Sequence, residues 1–126
     1  MGVKKNLKIL VVDDNKGVRS FLNVMFTGKN FVVEEAGNGK EALKKVIASK
    51  PDIILLDGTM PEMDGFETCR RLRENQKTKN IPVIFCTSIC VTELIEREVE
   101  LDDYIEKPFD VNELCKKINK VLKKRD

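Results

Sequence analysis

The chain has 126 residues, of which 35% are charged and 41% hydrophobic, and its formal net charge at pH 7 is +2. This composition is that of a soluble globular protein, and the length predicts a single domain over residues 1–126. No apolar run approaches the roughly 20 residues of a transmembrane helix, and the first residues are too polar for a signal peptide. We therefore expect no membrane insertion and a cytoplasmic location. The net charge is too small to predict direct nucleic-acid binding.

The chain contains four cysteines and no histidine. Without a CxxC pair or a histidine, the sequence argues against a zinc site and against every histidine-based catalytic arrangement. Cys86 lies in an apolar strand pattern, and Cys69 and Cys115 lie near apolar helix positions. We interpret all of them as small buried residues of a reduced protein.

The first predicted strand covers residues 7–12 and is followed directly by Asp13 and Asp14. Asn15 is expected to cap a helix, and residues 31–36 are predicted to form an edge strand because two of them are glutamates. A second helix then runs up to Pro51. The apolar positions expected to face inward are Val18, Phe21, Leu22 and Met25 in the first helix and Ala42, Leu43, Val46 and Ile47 in the second.

The third predicted strand, residues 53–56, consists of four apolar residues, and Asp57 stands where the run stops. A continuous apolar run bounded by turn residues is typical of a strand that is buried on both faces of a parallel sheet. The loop after Asp57 ends in Asp64, which is expected to cap the third helix. Phe66, Cys69 and Leu72 should face inward in that helix, and its three arginines, Arg70, Arg71 and Arg73, should point largely outward.

The fourth predicted strand, residues 81–86, is again apolar and is followed by Thr87. A weakly marked fourth helix is expected around Val91 to Val99, and a polar-flanked fifth strand covers residues 103–106 and precedes Lys107. The last helix is the clearest, since its apolar stripe consists of Val111, Leu114, Cys115, Ile118, Val121 and Leu122.

Five strands that alternate with five helices predict an α/β fold with right-handed crossovers and a doubly wound parallel sheet between two helix layers. The three apolar strands belong in the middle, which gives the strand order 2-1-3-4-5. This is the order of the flavodoxin-like folds.

Polar residues follow four of these strands: Asp13 and Asp14, Asp57, Thr87, and Lys107. Because parallel strands end at the same edge of the sheet, these side chains should converge there. Clustered carboxylates repel one another unless a cation lies between them, and oxygen ligands without histidine or cysteine suit Mg²⁺. The sequence therefore predicts a magnesium site.

The combination of these residues with the MPEMDG turn, Tyr104 and the Lys107-Pro108-Phe109 segment resembles the receiver domain of two-component response regulators. The likeness covers essentially the whole chain and is greatest to the stand-alone, chemotaxis (CheY-like) type, so no output domain is expected in this chain. It implies a phosphoacceptor rather than a conventional enzyme, with a sensor histidine kinase, a histidine phosphotransfer protein or a small phosphodonor as phosphoryl source. The downstream target would be a protein, and the chain would be a monomer or a weak dimer on phosphorylation.

The resemblance also implies a role for each matching position. Asp57 would accept the phosphoryl group, while Asp13, Asp14, Asp57 and the backbone carbonyl of Thr59 would hold Mg²⁺. Phosphoryl oxygens would be bound by Thr87 and Lys107. Tyr104 would be the aromatic switch residue, and the bond before Pro108 would be cis.

Three other interpretations remain open from the sequence. The string LLDGTM resembles half of the DxDGT signature of haloacid-dehalogenase phosphohydrolases, although Leu55 stands where their nucleophile would be. A flavodoxin-like FMN binder would share the fold, but Asp13 and Asp14 would repel the phosphate. The chain could also be a degenerate receiver that serves only as a protein-interaction module.

One segment departs from the family pattern. Thr87 and Tyr104 are about two residues closer together than is usual in receivers, and Glu100 stands where a glycine is common. We therefore predict that the fourth helix is short, shifted or poorly ordered.

Overall fold

The computed structural model describes residues 6–88 and 100–125, which contain five strands and four helices. In chain order these are β1 (Lys8–Val12), α1 (Lys16–Thr27), β2 (Val32–Ala36), α2 (Gly39–Ser49), β3 (Ile53–Leu56), α3 (Gly65–Glu74), β4 (Val83–Thr87), β5 (Asp103–Glu106) and α4 (Val111–Arg125).

The strands form one parallel sheet in the order β2-β1-β3-β4-β5, which confirms the predicted topology. The three apolar strands lie in the middle, where every residue of β3 and β4 is buried. The two strands that carry acidic residues, β2 and β5, lie at the edges, where one side of the backbone ladder stays accessible to water.

Two hydrophobic clusters lie on opposite faces of the sheet and confirm the three-layer architecture. On one face, alternate sheet residues pack with α2 and α3 through residues such as Val46 and Phe66. On the other face, the intervening residues pack with α1 and α4 through residues such as Phe26 and Leu114. The alternation follows from the two-residue period of a strand, in which neighbouring side chains point to opposite faces.

The helices that follow β1, β2 and β3 are each capped by a short polar side chain. Asn15, Asn38 and Asp64 accept hydrogen bonds from backbone N–H groups in the first turns of α1, α2 and α3. Such caps satisfy N–H groups that have no partner within the helix. They therefore fix where each helix begins relative to the strand before it.

Two apolar residues predicted to face inward are instead exposed. Phe21 is 54% exposed and Ile47 is 43% exposed, whereas Phe26, which the sequence analysis did not select, is fully buried. In α1 the buried residues Leu22 and Phe26 are four positions apart, and Phe21 is rotated by about 100° from Leu22. The apolar stripe of each helix is thus narrower than its apolar residues suggest.

Arg73 was predicted to point outward, and this was wrong, because its side chain is only 11% exposed. Its guanidinium donates hydrogen bonds to the carbonyl oxygens of Lys79 (2.9 Å), Ile81 (2.7 Å) and Glu100 (2.9 Å), and it pairs with Asp102 at 3.2 Å. The planar guanidinium fork can serve several acceptors at once. Arg73 therefore ties the end of α3 to the segments that lead into β4 and β5.

Some predicted boundaries also shift. β4 begins at Val83 rather than at residue 81 and extends through Thr87. Pro82 lies just before it and offers only its carbonyl to the ladder, to Ile54 N at 3.0 Å, because proline has no N–H group.

Four of the five predicted helices are present in the described residues. The remaining one, together with the prediction that it is short or shifted, falls on residues 89–99, which lie outside the described residues. Among the described helices none is long and apolar enough to cross a membrane.

Candidate functional site

Three carboxylates meet at the carboxyl edge of the sheet, where β1 and β3 are neighbours. The N–H groups of Asp13 and Asp57 continue the sheet ladder, to Ala36 O at 3.1 Å and to Val12 O at 2.9 Å. One carboxylate oxygen each from Asp13, Asp14 and Asp57 lies within 4.8 Å of the others. Asp13 and Asp57 are buried, at 3% and 6% exposure, and Asp14 is exposed. The predicted acidic cluster is thus present, and it opens to solvent on the side of Asp14.

Lys107 brings a positive charge to this cluster from the end of β5. Its Nζ lies 2.7 Å from Asp13 Oδ2 and 3.6 Å from Asp57 Oδ2. Burial alone would lower the pKa of the Lys107 ammonium, but the hydrogen bond to Asp13 and the charges of both carboxylates raise it overall. The lysine therefore stays charged at neutral pH.

The pKa of the Asp57 carboxyl is raised above its ordinary value. Burial raises its pKa, and the charges of Asp13 and Asp14 raise it further, while the Thr59 N–H and Lys107 lower it by less. The Thr59 N–H donates to Asp57 Oδ1 at 3.0 Å. The folded environment disfavours the charged form of Asp57. A cation bound beside this carboxylate would offset that cost and would itself be stabilised by the negative charge.

The start of α3 packs against the backbone of Asp57 and Gly58 and fixes the position of Asp57. The N–H of Gly65, the first residue of α3, donates to Gly58 O at 3.1 Å. A Cβ atom at Gly65 would lie 2.3 Å from Asp57 O and 2.7 Å from Gly58 Cα, which no side chain can tolerate. The start of α3 therefore approaches the Asp57 backbone at a distance that only glycine allows.

The loop between β3 and α3 contains a second backbone constraint. Glu62 has φ of 68°, in the left-handed region that is unfavourable for a residue with a Cβ atom. Met60 and Met63 on either side of it are buried, so the loop is anchored by its methionines while Glu62 is exposed.

Of the remaining predicted site residues, Thr87 and Thr59 lie at the same edge, whereas Tyr104 lies within β5. Thr87 is fully buried at the end of β4, and its carbonyl accepts the Lys107 N–H at 2.9 Å. Thr59 is exposed, two residues after Asp57. Tyr104 lies half-buried on β5 next to Phe85 of β4, with Lys117 Nζ 5.7 Å from its ring centre. The Lys107-Pro108 peptide bond, which the resemblance implied to be cis, is cis.

The donor set fits a hard divalent cation. Three carboxylate oxygens converge, the chain has no histidine, and burial raises the pKa of the neighbouring Cys86 thiol to about 12, so that this thiol stays protonated. Carboxylates with one side open to water suit Mg²⁺, which keeps several of its waters.

Sequence reasoning missed two groups that hold Asp13. The Asn15 N–H donates to Asp13 Oδ1 at 2.9 Å, and Arg19 Nη1 donates to the Asp13 carbonyl at 2.8 Å. The Asn15 contact could have been found, since a short turn commonly places the N–H of residue i+2 on an aspartate. The Arg19 contact depends on how α1 packs against β2, and no sequence pattern indicates it.

A 2-1-3-4-5 parallel sheet with an acidic cluster and a lysine at its carboxyl edge defines a receiver-type signalling domain. Comparison with protein families matches residues 9–119 to the response regulator receiver domain. The chain belongs to this family.

Individual relatives agree with this assignment. The sporulation initiation phosphotransferase F of Bacillus subtilis is 37% identical, over 93% of this chain and 94% of its own length. The receiver domain of Francisella response regulator 1452 superimposes with a TM-score of 0.87 at 32% identity, and the match covers 96% of this chain and 100% of the other.

Other relatives are longer. The transcriptional regulatory protein ResD of Bacillus subtilis is 39% identical over 93% of this chain, but the match covers only 48% of its own length. The chain spans about half the length of several curated relatives that it matches.

Proposed function

We propose that this receiver domain accepts a phosphoryl group on Asp57 in a Mg²⁺-dependent reaction and thereby switches its protein contacts. The observation that carries the proposal is the convergence of Asp13, Asp14 and Asp57 within 4.8 Å, beside a charged lysine, at one edge of the sheet. The phosphoryl source would be a sensor histidine kinase, a histidine phosphotransfer protein or a small phosphodonor. The output would be a contact with another protein.

The reaction is a transfer in which one bond forms as another breaks. An oxygen of the ionised Asp57 carboxylate attacks phosphorus, the bond from phosphorus to the donor nitrogen or oxygen breaks, and the leaving group keeps the electron pair and takes a proton from solvent. Asp57 needs no general base, because the carboxylate itself is the nucleophile. Its raised pKa means that the rate falls as pH decreases through that pKa, since the protonated acid cannot attack.

The other site residues would stabilise the phosphoryl group rather than take part in bond changes. Lys107, which already reaches Asp57 Oδ2 at 3.6 Å, would pair with a phosphoryl oxygen, and the Thr87 hydroxyl would donate to another. Asp13, Asp14, Asp57 and the Thr59 carbonyl would hold Mg²⁺. When bound, the cation supplies charge neutralisation for the phosphoryl oxygens.

A switch would follow from movements of Thr87 and Tyr104. Thr87 would move towards the phosphoryl group, and Tyr104, now half-buried on β5, would turn into the space that Thr87 leaves. Switching of this kind acts through contacts at the β5 side of the sheet.

The competing interpretations are less well supported. Leu55, which stands at the nucleophile position of the dehalogenase signature, is 1% exposed in the hydrophobic core and offers no nucleophile. The convergence of all three carboxylates argues against the degenerate-receiver interpretation.

The test is phosphorylation by phosphoramidate in the presence of Mg²⁺, followed by intact-mass measurement and peptide mapping. We expect one phosphoryl group on Asp57, which hydroxylamine removes and which EDTA or Asp57→Asn prevents. Asp52→Asn is a matched control, because Asp52 lies at the opposite end of β3 and accepts the Lys8 N–H at 2.8 Å. The absence of an adduct on the wild-type chain would favour the degenerate-receiver interpretation.

A further inference from the structure

Every polar atom of Asp13 has a partner in the structure, and one partner comes from α1. Its N–H donates to Ala36 O, its Oδ1 accepts from Asn15 N, and its Oδ2 accepts from Lys107 Nζ. The fourth atom, the carbonyl oxygen, accepts from Arg19 Nη1 at 2.8 Å. The first three partners belong to the sheet edge and its loops, whereas Arg19 reaches Asp13 from the second turn of the helix.

Arg19 is itself fixed by an acidic residue of the edge strand β2. Its Nε lies 3.2 Å from Glu35 Oε1, and Asn23 Nδ2 donates to Glu35 Oε2 at 2.8 Å. Asn23 lies one helical turn after Arg19, so Glu35 is held by two side chains of α1. Arg19 is 18% exposed and Glu35 30% exposed on their side chains, which places the pair partly out of water.

This network connects β2, α1 and the first metal-site loop. In the pairing of β1 with β2, Glu35 lies opposite Val11, which is two residues before Asp13. The next pair in the same ladder is Val12 with Ala36. An arginine suits this position because its rigid fork can bond a carboxylate and a carbonyl at the same time, which a lysine ammonium on a flexible stem does less well.

We propose that Arg19 is a positioning residue of the cation site, which orients Asp13 through its backbone carbonyl and is itself oriented by Glu35. The proposal rests on the proposed function, since it concerns the affinity of the same site for Mg²⁺. Arg19 touches neither the cation nor the phosphoryl group and acts only through Asp13. Partners that orient metal ligands typically change metal affinity by about 10–100-fold when they are removed. The Asp13 side chain keeps its bonds to Asn15 and Lys107, so we expect the lower end of that range.

The experiment measures the dissociation constant of Mg²⁺ from the Mg²⁺ dependence of the melting temperature, in the whole chain, without phosphodonor. Arg19→Met removes the donors and keeps the aliphatic stem, and it should weaken Mg²⁺ binding by about 10-fold. Arg19→Lys, which keeps the charge, should restore only part of the affinity.

Arg73→Met is the matched control. Arg73 is also largely buried and also donates to backbone carbonyls, but at the opposite end of the sheet. The Arg73→Met substitution should lower the melting temperature about as much as Arg19→Met does, and it should leave the dissociation constant of Mg²⁺ unchanged.

Glu35→Gln completes a double-mutant cycle. If Glu35 affects the site only through Arg19, the substitution Glu35→Gln should weaken Mg²⁺ binding in the wild-type background and should have no further effect in the Arg19→Met background. An unchanged dissociation constant in Arg19→Met, with a lowered melting temperature, would overturn the positioning role and leave the proposed function intact. If the wild-type chain shows no Mg²⁺-dependent stabilisation, the cation site itself is wrong, and the role of Arg19 is overturned with it.

Discussion

Lys107 offers a direct test of the electrostatics at the sheet edge, through the substitution Lys107→Met. Its ammonium lies 2.7 Å from one Asp13 oxygen and 3.6 Å from one Asp57 oxygen. With an effective dielectric constant of about 20, these distances correspond to attractions of roughly 6 and 5 kcal/mol. Much of that is offset by desolvation, and removal of one partner from a buried pair typically costs about 3–5 kcal/mol. Because the Lys107 side chain is 26% exposed, we expect a loss of about 3 kcal/mol in the absence of metal.

The loss translates into a measurable change in melting temperature. An unfolding entropy of about 2.1 cal/mol/K per residue gives roughly 0.26 kcal/mol/K for the whole chain, so a loss of about 3 kcal/mol lowers the melting temperature by about 11 °C. Mg²⁺ at about 100 times its dissociation constant should return roughly 2.7 kcal/mol. The assay is thermal unfolding followed by circular dichroism, in EDTA and in Mg²⁺. The shift caused by Mg²⁺ should be at least as large in the variant as in the wild type, because no ammonium then competes for the carboxylates.

Lys117→Met is the matched control for this measurement. Lys117 is 28% exposed and pairs with Asp103 at 3.4 Å, but it lies away from the acidic cluster. Removal of such a partly exposed pair should cost about 1 kcal/mol or less, and Mg²⁺ should stabilise this variant only as much as the wild type. Equal melting temperatures for Lys107→Met and Lys117→Met in EDTA would refute the reasoning.

The pH dependence gives a second readout of the same variant. Without Lys107 the pKa of Asp57, already raised by burial, should rise further. A raised pKa in the folded state means that the folded chain takes up a proton at a higher pH than the unfolded chain does. The ionised Asp57 carboxylate therefore lowers the free energy of unfolding at neutral pH, and this loss disappears as pH falls through that pKa. The stability difference between Lys107→Met and wild type should therefore shrink on acidification, and a difference that grows would contradict the assigned sign.

Three further predictions follow from other features of the chain. Gly65→Ala should destabilise the fold by at least about 2 kcal/mol, because the added Cβ meets the Asp57 backbone at 2.3 Å. In the control Gly28→Ala the Cβ would meet only contacts at 3.5 Å, so this variant should melt at the wild-type temperature or higher. Equal effects of the two substitutions in urea titrations would contradict this. Glu62→Gly should raise the free energy of unfolding by about 0.5–1 kcal/mol, because it relieves the left-handed backbone at φ 68°, and Glu62→Ala should not; equal unfolding midpoints for the two variants would show that the strain is negligible. Amide hydrogen exchange should be much faster in residues 91–101, where the sequence predicts a shortened helix, than in residues 111–122 of α4. Equal protection of the two segments would argue against that shortening.

Much of the fold follows from the sequence because burial on both faces leaves a direct signal. The apolar residues of β1, β3 and β4 placed these strands in the middle of the sheet, and the glutamates of β2 placed it at the edge. Once the strand order is known, the parallel direction brings Asp13 and Asp57 together, because both directly follow the ends of neighbouring strands. The core of the site was therefore predictable without any knowledge of side-chain packing.

What the sequence could not predict depends on the rotation of helices and on long polar side chains. Phe21 and Ile47 have the right spacing for the core, but each stands at the margin of its apolar stripe, and packing leaves it exposed. Arg73 was predicted to point outward because it is charged, and no sequence pattern indicated the contact that Arg19 makes. Both instead donate to carbonyl oxygens that only the folded backbone brings within reach.

The backbone hydrogen bond from Lys107 N to Thr87 O joins the two loops that would hold the phosphoryl group. This bond couples the ends of β4 and β5 directly, and the Pro108–Phe109 turn follows immediately. Thermodynamic linkage makes such coupling reciprocal for binding free energies. A partner protein that binds the turn more tightly in the phosphorylated form must, by the same factor, make the phosphorylated form more favourable. If the domain is phosphorylated as proposed, the turn that follows β5 would act as an input as well as an output, and a bound partner would retain the phosphoryl signal as well as detect it.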